Sequence, residues 1–429
     1  MLQTMSPEKT VFVVLSFEGP DPYSQAGGLG VRVSKLSQAL AEQGYETHLF
    51  FVGDPEKEGM ETAYEGRLIL HRWCQWISEY HPFGVYDGEE GKLNDFTGSV
   101  PEFVVHSLAE ALSGQGKNLV LLAEEWHTAE TVCRVGELLA QRGLRKEAIL
   151  LWNANNTYSF SRINWDRLSR NAVITTVSNY MRQLMRGHGV EPLVIPNGIQ
   201  RDLTQPVEKV PSDILHRELE TDFVLFKMGR FDPSKGWIKA METASRLKGM
   251  GYSLRFIMRG GMEPYGEHVF AKAQSLGLSV QDVDLSGQSL EGSIRELLAA
   301  RYTDVVNITS FIPHDFSRII FASSDAVLAD SLHEPFGLVG LEAMASGGVA
   351  FVGNTGEDYA RDLDNSVVLE TSKSAEAAAS VLYMHHYHRF TQRLRQRARS
   401  TGTHFTWDRI INYSLHPKLQ RLSWEKQVA

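Results

Sequence analysis

An α/β protein of two doubly wound, mainly parallel sheets is the fold class this sequence predicts, and three observations carry the prediction. Short β-rich runs alternate with longer helical runs along the chain, which is the pattern of βαβ units. A fresh set of such runs begins near residue 222, after a polar stretch with two prolines. The chain has 429 residues, 42% of them hydrophobic, more than one core of ordinary size accommodates.

In chain order, strands are expected at "VFVVLSF" (11–17), "THLFFV" (47–52), "NLVLLA" (118–123), "AILLWN" (148–153), "AVITTVS" (172–178) and "PLVIP" (192–196). Each is a short apolar or β-branched run bounded by polar or turn residues. "VRVSKLSQALAEQ" (31–43) has apolar residues at helical spacing and stops at Gly44. The second set opens with the strand "DFVLFKMGR" (222–230) and the helix "GWIKAMETASRLKGMG" (236–251). Strands "YSLRFIM" (252–258), "DVVNIT" (304–309), "DAVLAD" (325–330) and "GVAFVG" (348–353) follow. The stretch 198–221 is polar, lacks strong periodicity and reads as a linker. The expected domains are therefore 1–205 and 206–404, Rossmann-like and facing across a cleft, with 405–429 as a C-terminal segment. Ligands in such sheets bind beyond the carboxyl ends of the strands, and a cleft between two domains is the default active site.

Charged residues make up 22% of the chain and the formal net charge is −9, which argues against a nucleic-acid protein. Cys74 and Cys133 lack a ligand-like spacing and read as free thiols of a reducing compartment. No apolar run reaches the length of a signal-peptide core or a membrane span. A cytoplasmic protein is expected, and peripheral membrane contact is not indicated. The basic run "HHYHRFTQRLRQRARS" (385–400) reads as a solvated helix face.

The chemistry-bearing residues sit where strands hand over to helices. In "MGRFDPSKGW" (228–237), Arg230 leaves the strand end and Lys235 lies near the helix start, while Gly229 and Gly236 permit tight backbone paths. Two cations beside a helix N-terminus suit a diphosphate without a metal ion. "HEPFGLVGLE" (333–342) repeats the arrangement, with a helix expected to start near Phe336 or Gly337. The amides of Gly337, Leu338 and Val339 would face the same phosphates. Glu334 precedes that helix and Glu342 lies more than one turn inside it. Two carboxylates so placed suit the hydroxyls of a sugar and of a ribose.

"PDPYSQAGGLGVRVSKL" (20–36) places Gly27, Gly28 and Gly30 between the first strand and its helix, so that a substrate can approach the backbone closely. The spacing is not G-x-G-x-x-G, which argues against dinucleotide binding. "AEEWHTAE" (123–130) puts His127 at a strand end, and "WNANNTYSF" (152–160) places Asn153, Asn155 and Asn156 at another. Those amides suit a hydroxyl-rich ligand or a turn. No Asp-x-Asp motif is expected at a strand end, and no metal ligand set is expected.

With these residues assembled, the chain resembles the large family of retaining glycosyltransferases numbered four, whose fold, called GT-B, glycogen synthases and sucrose synthases share. "GRFDPSKG" (229–236) is similar to the signature G-R-x(4)-K-G, and "HEPFGLVGLEAMASG" (333–347) to E-x(7)-E followed by E-A-M-A-x-G. "IPNGI" (195–199) resembles the P-N-G-(I/V) turn, "GGLG" the N-terminal glycine loop and "EEWHT" the D-W-H-(T/A) of glycogen synthases. The resemblance implies that Arg230 and Lys235 hold a donor diphosphate, Glu342 the ribose and Glu334 the donor sugar. It implies that the amides of Gly337, Leu338 and Val339 complete that site, that His127 contacts the transferred sugar, and that the final helix crosses back onto the first domain. Gly27, Gly28, Asn155, Asn197, Gly229 and Phe336 complete the substrate-binding candidates. Gln25 stands where glycogen synthases carry a lysine, and Glu125 replaces their aspartate.

The implied reaction moves a sugar, with retention, from a nucleotide-diphosphate sugar to a hydroxyl acceptor, with no cofactor. An epimerase of the same fold, a glucan-elongating synthase and a non-catalytic sugar-nucleotide sensor remain open as alternatives. No motif for a pyridoxal lysine is present. The acceptor is expected to be set by the first domain, including the aromatic-rich segment 71–96. The base, sugar, acceptor and oligomeric state are left open by the residues.

Overall fold

The computed structural model describes residues 5–207 and 213–428. The chain forms two compact units, Met1–Gly198 with Thr406–Ala429, and Ile199–Phe405.

Among the described residues, the first unit carries an eight-stranded sheet ordered β3-β4-β2-β1-β5-β6-β7-β8. Its strands are β1 (Thr10–Leu15), β2 (Glu46–Val52), β3 (Met60–Ala63), β4 (Leu68–Trp73), β5 (Asn118–Glu124), β6 (Ala148–Ala154), β7 (Val173–Thr176) and β8 (Leu193–Val194). All pairs are parallel except β3–β4. The order runs outward from β1 in one direction and from β5 in the other, so the loops after these neighbours part at a topological switch point. Every residue of β1 is buried, as are Phe50, Val120 and Trp152, because helices cover both faces of a parallel sheet.

The second unit carries a seven-stranded parallel sheet ordered β11-β12-β10-β9-β13-β14-β15. Its strands are β9 (Phe223–Met228), β10 (Leu254–Arg259), β11 (Val280–Val283), β12 (Val305–Ile308), β13 (Ala326–Ala329), β14 (Ala350–Val352) and β15 (Val367–Val368). Its switch point lies between β9 and β13. Phe223, Phe256, Trp237 and Met241 are buried in one cluster, each contributing about 1.5–3 kcal/mol through burial.

The structure corrects several expectations. The stretch 198–221 is not a plain linker, since Arg201–Thr204 and Ile214–Leu219 are short helices. Leu215 and Leu219 are buried one turn apart, an apolar spacing too brief to stand out among polar neighbours. Residues 208–212 of that stretch lie outside the described residues. The strands β3, β4, β11 and β15 went unread. β3 is exposed and without alternation, and β4 runs into the aromatic segment. An Asp-x-Asp pair does end a strand, Asp282 and Asp284 at β11. Asp282 accepts from Asn307 Nδ2 at 2.8 Å and Asp284 from the Ser286 amide at 2.8 Å. The basic run is not solvated throughout. Within the helix His388–Thr403, Arg395 donates to the carbonyls of Ala322, Ser324 and Gly347, and Arg399 to that of Ser346. These carbonyls end neighbouring helices, where a cation is favoured. No helix among the described residues is long and apolar enough to cross a membrane.

A buried charge hub underlies the first unit's switch point. Arg32, on α1 (Gly28–Glu42), meets Glu124 through two bonds, at 3.1 and 3.0 Å. Its other nitrogen donates to Asn197, and its guanidinium lies 5.5 Å from the Trp407 ring centre. The two charged side chains are 6% and 1% exposed. Removing one partner of such a pair leaves an uncompensated charge. Arg32→Ala is therefore expected to cost about 3–5 kcal/mol, read as a fall in Tm of the first unit's transition. A loss below about 1 kcal/mol, the range of an exposed ion pair, would show that the hub carries no such load.

Candidate active site

The two switch points collect the candidate residues. In the second unit, β9 ends at Met228 and delivers Gly229 and the exposed Arg230, then a turn over Pro233–Lys235, then α2 (Trp237–Gly249). Asp232 caps the turn by accepting from the Ser234 amide at 2.8 Å. Gly236 has φ +69°, and a Cβ there would lie 2.7 Å from the Asp330 carbonyl oxygen, so only glycine fits without strain. β13 delivers Asp330, Glu334 and Gly337, and α3 (Leu338–Ala345) starts behind Gly337, whose φ is +80°. The helix begins where the sequence placed it. Its first amides, at Leu338 and Val339, have no intrahelical acceptor.

The two loops meet. Lys235 Nζ lies 2.7 Å from Glu334 Oε2, and the Leu332 amide donates to the Ser234 carbonyl at 2.7 Å. Thr355 Oγ1 accepts from the Glu334 amide at 3.0 Å, and the Gly356 amide donates to the Glu334 carbonyl at 2.9 Å. A Cβ on Gly356 would come within 2.3 Å of that carbonyl, so the loop carrying Glu334 is held by backbone too close for any side chain. Phe336 is buried, packed 5.7 Å from the Tyr359 ring centre. Glu342 lies inside α3, half-buried, and its carboxylate has no hydrogen-bond or ion-pair partner among the described residues. Burial pushes its pKa up to about 7. Burial likewise raises Glu357 to about 7.

Beneath this site is a buried arrangement that the sequence reading passed over. Lys227, inside β9, donates to the Leu328 carbonyl at 2.6 Å and to Asp330 Oδ1 at 3.2 Å. Lys239 approaches the other Asp330 oxygen at 3.1 Å. The signal was readable: a lysine within the apolar run "FVLFKM" needs a buried partner.

In the first unit, β1 delivers the glycine loop and β5 delivers Glu125, Trp126 and His127. The loop's amides are already engaged. Those of Ala26, Gly27 and Gly30 donate to Glu18 Oε2 at 3.2, 3.0 and 3.0 Å. Tyr86 Oη donates to the other Glu18 oxygen at 2.7 Å. Glu18 is 5% exposed, and its position directly after an apolar strand was the available sign. Gly28 is exposed.

His127 Nε2 lies 2.8 Å from Glu89 Oε1, so that nitrogen carries the proton and Nδ1 is a lone-pair acceptor. Nδ1 is buried and has no partner among the described residues. The ring stacks on Phe17 at 4.3 Å and on Trp126 at 3.8 Å. Burial, against the pull of Glu89, lowers its pKa to about 4, which keeps the imidazole neutral near pH 7. Glu125 precedes this turn with φ +67°, a left-handed conformation costly for a residue with a Cβ. It accepts from the Asn155 amide at 2.6 Å, and burial pushes its pKa up to about 8.

Asn153 and Asn155 turn their side-chain nitrogens onto Glu124 at 2.9 and 2.8 Å, and Asn197 accepts from Arg32. The structure thus gives Asn155 Nδ2 and Asn197 Oδ1 partners inside the protein. Among the described residues, no group of three or more His, Cys, Asp or Glu side chains gathers as a metal site. Both cysteines are free and buried.

Two doubly wound sheets with loops converging at their switch points are the architecture of the GT-B fold. Residues 214–401 match the family model of glycosyl transferases group 1. The chain is 25% identical over 415 residues to a D-inositol 3-phosphate glycosyltransferase of Geodermatophilus obscurus, covering 90% of this chain and 83% of that one. Among solved structures, a sucrose-phosphate synthase from Thermosynechococcus elongatus superposes with a TM-score of 0.66 at 17% identity, covering 97% of this chain and 99% of that one. The catalytic domain of starch synthase IV from Arabidopsis thaliana, bound to ADP and acarbose, gives 0.67 at 16%, covering 98% and 99%. The second unit thus contains a glycosyltransferase group 1 domain, and the chain is a transferase enzyme.

The raised carboxyl pKa of Glu125 makes a prediction about stability. A carboxyl raised from its ordinary value to about 8 in the fold contributes stability that is whole below about pH 4.5 and lost as pH rises through about 8. Glu125→Gln keeps an oxygen for the Asn155 amide and cannot ionise. The Tm difference between variant and wild type should therefore move in the variant's favour from pH 5 to pH 8. A difference independent of pH would show that Glu125 ionises normally.

Proposed function

We propose that the protein transfers a sugar from a nucleoside-diphosphate sugar to a hydroxyl acceptor, with retention of anomeric configuration. The observation that carries this reading is the Lys235–Glu334 contact of 2.7 Å, which joins a cation to a carboxylate at the switch point of the second sheet. Exposed Arg230 and the start of α3 belong to the same two loops.

Leaving-group departure puts negative charge on the β-phosphate. Preorganised donors stabilise such charge best. Arg230 binds phosphate oxygens with its planar fork, Lys235 acts as a point charge, and the amides of Gly337, Leu338 and Val339 add the positive end of the helix. As the diphosphate engages Lys235, the Glu334 carboxylate is released to the sugar, where positive charge builds as the anomeric C–O bond breaks. The acceptor oxygen bonds to the same carbon on the face the phosphate leaves. Its proton passes to the departing phosphate oxygen. Glu342 accepts from the ribose hydroxyls. His127, held neutral by burial, is the first unit's candidate for contact with the transferred sugar.

The two glutamates should separate kinetically. Glu342→Gln removes a contact equal in ground and transition states, so donor KM rises. A hydrogen bond to a charged group is worth about 1.5–3 kcal/mol, or roughly 10- to 150-fold. Because Glu342 titrates near 7 in the fold and the ribose is bound by its ionised form, the variant's deficit should grow from pH 6 to pH 8. Glu334→Gln should lower kcat instead, and nucleoside-diphosphate affinity should not fall, because the diphosphate no longer has to displace a carboxylate from Lys235. The reverse pattern would mean that the roles are exchanged.

Cations and helix amides supply the charge stabilisation in this reading, so activity should survive chelation. A large loss of rate in EDTA, restored by Mg²⁺ or Mn²⁺, would overturn metal independence.

A further inference from the structure

The glycine loop faces a groove whose chemistry selects among acceptors. The groove is about 370 Å³, lies wholly within the first unit, and is walled by the loop on one side and residues 82–87 on the other. Tyr23, Pro82, Phe83 and Tyr86 give it flat apolar surface, and Phe83 is 92% exposed. Gln25 and Asp87 supply its polar side chains, and no lysine, arginine or histidine is among the residues that line it. The nearby Lys92 is buried, and its ammonium is spent on Tyr23 Oη at 2.6 Å and on the carbonyls of Gly84 and Val85 at 3.0 and 3.3 Å.

A glycine loop opening a helix is ordinarily a ready anion site, because its amides point at one place and the helix dipole favours negative charge. Here that place holds the Glu18 carboxylate, with three amides on one oxygen and Tyr86 on the other. Tyr86 both lines the groove and holds Glu18, so the filled nest and the aromatic wall are one construction. A second anion would meet a buried carboxylate, already satisfied, where it needs free amides. An uncharged sugar ring meets the opposite conditions. Its C–H face packs on aromatic rings, and its hydroxyls find Gln25 and the remaining lone pairs of Asp87, whose oxygens already meet His81 Nδ1 at 3.2 Å and the Phe83 amide at 3.3 Å.

We propose that this groove is the acceptor subsite and that it takes an uncharged saccharide, rejecting a sugar phosphate. Glu18 is the positioning residue that enforces the choice. The inference deepens the glycosyl-transfer reading above and rests on it for the word acceptor.

The test measures binding, not turnover. Saturation-transfer NMR and titration on the full chain would compare maltotriose, cellotriose and mannotriose with glucose 6-phosphate and myo-inositol 1-phosphate. At least one neutral trisaccharide should bind, and each phosphorylated ring should bind at least about 10-fold more weakly than that trisaccharide, the factor of about 1.4 kcal/mol. Phe83→Ala, at a side chain too exposed to matter for folding, should weaken the trisaccharide at least fivefold. Glu18→Gln keeps the acceptor oxygen and removes the charge, so it should narrow the gap between neutral and phosphorylated rings. A phosphorylated ring that binds wild type more tightly than every neutral saccharide overturns the proposal. So does silence from all neutral probes, an indifferent Phe83→Ala, or an unchanged gap in Glu18→Gln. Thermal shifts with UDP, ADP and GDP, run in parallel, report on the donor reading separately. Their absence together with saccharide binding would fault the transferase mechanism and not the groove.

Discussion

The parallel strand order is the constraint on which the rest depends. When neighbouring strands run the same way, their carboxyl ends lie on one edge of the sheet, and every following loop starts there. Where the order reverses, between β1 and β5 and between β9 and β13, adjacent loops lead to opposite faces and leave a crevice. That is why Lys235 and Glu334, 99 residues apart in sequence, come to lie 2.7 Å apart. The same constraint brings Glu18 and the Glu125–His127 turn to the ends of neighbouring strands β1 and β5.

Burying both faces of each sheet has an electrostatic consequence. Charges needed at the strand ends must be satisfied below the surface, since an isolated buried charge is costly. Each unit solves this differently. In the first, Arg32 and two asparagine amides converge on Glu124. In the second, two lysines share Asp330.

What was legible in the sequence followed from how local its cause was. The central strands could be read because "VFVVL" and "FVLF" are apolar whichever partner they find, and the placement of Arg230, Lys235, Glu334 and Glu342 beside a strand end or a helix start because each stands at a set distance from one. The helix at Leu338 could be read from Pro335 and Gly337 before an apolar run. The role of Glu18 could not, since its bonds to the amides of residues 26, 27 and 30 exist only once the loop has closed. The internal partners of Asn155 and Asn197 could not be read for the same reason: the carboxylate and guanidinium that engage them come from β5 and α1. β4 was lost because His71 and Trp73 read as part of an aromatic surface, whereas His71 is buried, with its pKa lowered to about 3 by burial.

The two switch points end in opposite electrostatic states, and the difference has one cause. Each opens a helix behind a glycine, and each therefore offers amides and a positive dipole end. In the second unit, Arg230 and Lys235 stand in the loop beside α3, and one of the carboxylates there, Glu334, is held by a lysine. In the first unit, a carboxylate from the strand end sits in the amides themselves, and Asp87 and Glu89 follow on the facing segment. One position has spare capacity for negative charge and the other has none. In the transfer proposed above, that asymmetry gives the diphosphate leaving group and an uncharged acceptor different sites. Filling the first nest from within the chain comes at the cost of one buried carboxylate, whose four hydrogen bonds are the compensation for its burial.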